Sequence, residues 1–154
     1  LKKLLLFVLL FTGTIVLNGC TTMTSTKISD DRSVIHFDAT SILSLGRAHQ
    51  IKMLMLSSVP TDSIAVSDAN EELRVMKADN TKHLEEMTIL QHDEPAAEEF
   101  KTLVIDYLEV ENAYIDKKIE SLYSDNVRHP SRFSMETLYS RVDAELPNFR
   151  YEPN

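Results

Sequence analysis

The chain has 154 residues, 43% of them hydrophobic, with one cysteine, no tryptophan, three glycines, five prolines and a formal net charge of −8. So acidic a surface disfavours nucleic acid and anionic lipid headgroups, and so few turn-forming residues argue against an all-β protein. A lone cysteine has no intramolecular disulfide partner, so a folded domain must rest on its core.

Lys2 and Lys3 precede the apolar run Leu4 to Leu17, broken only by Thr12, Gly13 and Thr14. The run falls short of the roughly 20 apolar residues that a membrane span needs. A basic flank, a short apolar core and a small residue at its end describe a secretory signal. The stretch closes as Leu17-Asn18-Gly19-Cys20, which resembles the lipobox of bacterial lipoproteins. That resemblance implies cleavage between Gly19 and Cys20 and a diacylglycerol on the Cys20 thiol. Residues 1–19 would then be a cleaved signal peptide, and the membrane would be the first partner. The location implied is a bacterial cell membrane or outer membrane, with the domain extracytoplasmic. Lipid on Cys20 also accounts for a single thiol in an exported chain. Loss of Lys2 and Lys3 with the leader takes the net charge from −8 to about −10.

From Thr21 to Ser33 the chain is polar and aperiodic, and 20–37 reads as a lipidated cysteine followed by a flexible tether. Helical periodicity then sets in. Asp38 or Thr40 can cap a first helix running to about Ser58, with Ile42, Leu45, Ala48, Ile51, Met55 and Leu56 as its apolar positions. Pro60 follows its end. A second helix starts at Thr61, Asp62 or Ser67 and reaches about Gln91, with Leu73, Met76, Asn80, Leu84, Met87 and Leu90 on one face. Pro95 suits a first turn and opens a third helix to about Ser124. Its stripe is Phe100, Val104, Tyr107, Leu108, Ile115, Ile119 and Leu122. A short fourth helix runs from Ser134 to about Leu146 and stops at Pro147, leaving 148–154 as an irregular tail. The expected fold is all-α: an antiparallel bundle of three to four helices over 38–147.

Polar residues that could carry chemistry are scattered. The histidines are His36, His49, His83, His92 and His129. Zinc needs three or four ligands close in space, and the best candidates are His49, Asp79 and His83, the last two sharing a helix face. Carboxylate-bridged di-iron bundles use Glu-x-x-His, which is absent here; His83-x-x-Glu86 is the reverse order. Met53 and Met55 near His49 suggest copper(I), but residues two apart on a helix diverge. No cofactor is therefore expected. The pairs Glu71-Glu72, Glu85-Glu86 and Glu98-Glu99 read as solvated faces, since adjacent helical residues point apart. Tyr107, Tyr114, Tyr123 and Tyr139 read as the amphipathic edge of a core. Asn80 and Glu111 interrupt apolar stripes. They are expected at the core boundary; a buried Glu111 would need a cation such as Arg47, Lys52, Arg74 or Lys77.

No nucleophile elbow, Ser-x-x-Lys box or phosphate loop occurs. The expectation is a non-catalytic, membrane-anchored module that binds an envelope protein, with a small-ligand or metal-binding bundle as the alternative.

Overall fold

The computed structural model describes residues 31–56, 63–124 and 132–150. Four helices account for nearly all of them: α1 (31–55), α2 (Ser63–Ile89), α3 (Pro95–Leu122) and α4 (Phe133–Glu145), followed by a 3-10 turn at Leu146–Phe149. They pack as an all-α antiparallel bundle around one core. No helix among the described residues is long and apolar enough to cross a membrane.

Cross-helix contacts set the topology. Arg32 meets Glu94, and His49 meets Glu111, so α1 and α3 run parallel across the core. Asp38 lines a groove with His83 and Glu86, while Lys52 pairs with Glu72, so α2 runs antiparallel to α1. Phe149, just after α4, stacks on Phe100 near the start of α3, with ring centroids 4.4 Å apart, so α4 is antiparallel to α3.

Local chemistry explains the boundaries. Pro95 occupies the first turn of α3, where its missing N–H removes no helical bond. Glu94, immediately before it, gives α3 no side-chain cap. Its carboxylate is instead gripped by Arg32, whose Nε reaches both oxygens at 2.8 and 3.0 Å. The same guanidinium lies 6.0 Å from the centre of the Phe149 ring. Arg32, Glu94, Phe100 and Phe149 thus close one end of the bundle.

Three departures from the sequence reading follow. α1 already includes residues 31–37, with Ile35 fully buried, where a tether was expected to reach residue 37. The chain does not become irregular at Pro147: proline is tolerated at the start of the 3-10 turn, and burial of Phe149 holds that turn in place. The phase of α1 also differs. Its core face is Ile35, Ala39, Ile42, Leu43, Gly46, His49 and Met53, whereas Ala48, Ile51 and Met55 point to solvent. α2 and α3 keep the expected faces, with Leu73, Met76, Met87, Phe100, Val104, Leu108 and Ile115 buried.

Candidate functional site

Three features stand out from an otherwise ordinary bundle. The first lies inside it. Glu111 on α3 is fully buried, and its Oε2 accepts a hydrogen bond from Asn80 Nδ2 on α2 at 2.9 Å. Its Oε1 faces His49 Nδ1 on α1 at 3.6 Å, and His49 is itself buried. This corrects the expected boundary placement of Asn80 and Glu111. None of the four cations named for Glu111 reaches it. Lys52 pairs with Glu72, Lys77 with Asp116 at 2.7 Å, Arg74 Nε donates to Asn70, and Arg47 is exposed. An imidazole and an amide do the work instead, because both fit a closed core that a long flexible cation would have to traverse.

One turn before Glu111 lies Tyr107, fully buried, its ring edge-on to Tyr139 at 5.8 Å. Burial, reinforced by the nearby Glu111 charge, pushes its hydroxyl far above the usual phenol range, so it stays neutral. Gly46 explains how the phenol fits. A Cβ at that position would land on the Tyr107 hydroxyl and 3.0 Å from Cζ, so only glycine lets α1 and α3 approach here. Tyr107 Oη, His49 Nδ1, Asn80 Oδ1 and Glu111 Oε1 are all buried without a hydrogen bond of good geometry. Such a cluster costs stability relative to an apolar core. Only one alignment of α1, α2 and α3 brings these groups together.

A second feature is a groove of about 270 Å³ between α1 and α2, lined by Asp38, Ile42, His83, Glu86, Met87, Ile89 and Leu90. His83 Nδ1 lies 3.3 Å from Glu86 Oε2. Desolvation raises the Asp38 carboxyl above its usual range, and the Glu86 charge adds to the effect. The groove thus combines an apolar floor with an acidic rim. Its volume is just below the roughly 300–1,000 Å³ of small-molecule sites.

The third feature is the outer face of α1. Val34, Phe37, Ser41, Ser44, Ala48, Ile51 and Met55 are all exposed, at alternating spacings of three and four. Phe37 and Met55 are 71% and 73% exposed, Ile51 53% and Val34 43%. No residue of this stripe is charged, and it lies nearly opposite the core stripe of the same helix. The helix thus has two uncharged or nearly apolar stripes, of which the bundle buries one.

The residues singled out as metal ligands do not converge. His49 belongs to the core cluster, Asp79 is exposed on α2, and His83 sits at the groove. Among the described residues no group of three or more His, Cys, Asp or Glu side chains could hold a metal ion. Met53 is buried and Met55 exposed, pointing apart as their spacing requires. His92 is buried at the α2–α3 connection, its Nδ1 3.8 Å from Asp31. Gly19, Cys20 and His129 lie outside the described residues. Gly46 was missed by sequence reasoning, although an isolated glycine inside a helical pattern is itself a sign of close packing. Comparisons with protein-family models, curated proteins and solved structures find no match to this chain.

Proposed function

We propose that the chain is a lipid-anchored bacterial lipoprotein whose helical domain works as a non-catalytic interaction module in the cell envelope. The anchor half of this reading rests on Leu17-Asn18-Gly19-Cys20 and the apolar run before it. The interaction half rests on one observation, the uncharged, exposed second stripe of α1. Isolated exposed apolar residues are ordinary on protein surfaces. A stripe sustained over 22 residues, or about 32 Å at the helical rise, is a helix-docking surface.

Two measurements test the two halves. Cys20→Ser should abolish incorporation of labelled lipid, and lipid retained on the variant would remove the anchor. A photoreactive residue at position 51 should form adducts in cells, whereas one at the exposed Glu109 on α3 should not. Equal labelling from both positions, or none from position 51, would remove the interaction reading. The groove beside Asp38 favours a second reading, a site for a small amphipathic cation, but its modest volume ranks it lower.

A further inference from the structure

The outer face of α1 has a pattern that bears on what covers it. Its bulky residues lie at the two ends, Val34 and Phe37 at one and Ile51 and Met55 at the other, with Ser41, Ser44 and Ala48 between. Small residues in the middle let a second helix come close there. The serine hydroxyls do not oppose this. Ser41 Oγ donates to the Phe37 carbonyl at 3.1 Å, and Ser44 Oγ to the Thr40 carbonyl at 2.9 Å. Each hydroxyl donor is already satisfied within the helix, so covering it with protein leaves no donor unpaired.

Charge narrows the choice of occupant. α1 carries three basic residues, Arg32, Arg47 and Lys52, against two acidic ones, Asp31 and Asp38. Every other helix has more acidic than basic side chains; α3 has seven against three. An acidic protein that meets itself is repelled least where α1 faces α1. Direction follows from the borders of the stripe. Asp38 and Lys52 flank it on the side toward α2, two heptads apart. A parallel copy brings opposite borders together, so Lys52 lies toward Arg47 of the partner subunit, like against like, and Asp38 gains no cation from it. An antiparallel copy sets Asp38 against Lys52 of the partner subunit, twice. The opposite border, Thr40, Arg47 and Leu54, carries a single charge.

We propose that the occupant is a second copy of this chain, docked antiparallel through the outer face of α1 about an axis near Ser44. The interface is isologous, so each stripe residue is used twice. Phe37 and Val34 pack toward Ile51 and Met55 of the partner subunit, and the serines cross at the centre. The inference rests on the interaction reading above and names its partner. Confinement to a membrane by the proposed anchor would raise the local concentration of copies and favour pairing.

Disulfide trapping of the full-length chain in intact cells tests this, with the parent chain, which retains Cys20, as background. Ser44→Cys alone should give a disulfide dimer above that background. Phe37→Cys alone should not, because the two Phe37 positions lie toward opposite ends. Co-expressed Phe37→Cys and Ile51→Cys chains should give a mixed dimer. Efficient self-crosslinking of Phe37→Cys, or none at Ser44→Cys, would overturn the proposal. As an independent readout, Ile51→Glu should weaken dimerisation of the purified full-length chain by about a hundredfold, since the change enters the interface twice. An unchanged dimer would also overturn it. Ile51 is half exposed, so an unaltered far-UV spectrum is expected and separates lost association from lost folding. A monomer whose position 51 labels a different protein would overturn self-pairing yet leave the interaction reading standing. A monomer that labels nothing would overturn both.

Discussion

The two faces of α1 have similar apolar content and opposite fates. The inner face sets Gly46 and His49 among Ile35, Ile42, Leu43 and Met53 and is buried. The outer face carries Phe37, Ile51 and Met55 and is exposed. Each face has four large apolar side chains, so hydrophobicity alone does not choose between them. Shape and polar pairing distinguish them, because Gly46 makes room for Tyr107 and His49 faces Glu111. Specific fit accompanies the buried face, and the other stripe is left exposed.

The sharpest way to break this contrast is to attack the inner face through Glu111. Glu111→Ala removes the hydrogen bond to Asn80, leaves His49 facing empty space and opens a cavity. We expect a loss of about 3 kcal/mol, read from urea unfolding. Replacing the polar pair together, Asn80→Leu with Glu111→Met, should recover most of that loss or exceed the parent, since well-packed apolar residues often match or outdo buried polar pairs. A urea midpoint unmoved by Glu111→Ala would show that the cluster does not orient α1.

Gly46→Ala should come next. Alanine is favoured over glycine in a helix by about 1 kcal/mol, yet here the added methyl meets the Tyr107 ring and hydroxyl. Overpacking of this kind costs about 1–3 kcal/mol, so we expect net destabilisation, partly relieved by Tyr107→Phe. Gain of stability from Gly46→Ala alone would mean that α1 and α3 do not approach closely at this point.

On the outer face, Phe37→Ser should leave unfolding within about 0.5 kcal/mol of the parent, as exposed positions do, while weakening association. A large loss of stability would show that this stripe is packed within the chain. The smallest effect sits between the two faces. Burial and Glu86 raise the Asp38 carboxyl, so the folded state holds its proton more tightly than the unfolded chain does. Ionisation of Asp38 therefore opposes folding. Stability is lost as pH rises from 3.8 through the higher folded-state value. Asp38→Asn should remove that slope from unfolding midpoints followed between acid and neutral pH, and an unchanged slope would place the carboxylate in open water.

The candidate site was only partly legible in the sequence. Asn80 and Glu111 stood out as breaks in apolar stripes, but single stripes cannot say whether a break faces the core or its rim. The partner search among lysines and arginines missed His49, which lies 62 positions before Glu111 and meets it only because α1 and α3 run parallel in register. Phe149 looked like part of a tail, since its stacking on Phe100 spans 49 positions of the chain.

What the sequence determined by itself is local. Apolar residues every three or four positions made helices of α2 and α3, and Pro95 marked a start that the structure keeps. These signals operate within a few turns, through backbone hydrogen bonds and steric limits that neighbouring residues share. Tertiary structure alone decided which of the two stripes on α1 turned inward. That choice depends on whether a tyrosine finds a glycine and a glutamate finds an imidazole and an amide, and these residues are far apart along the chain.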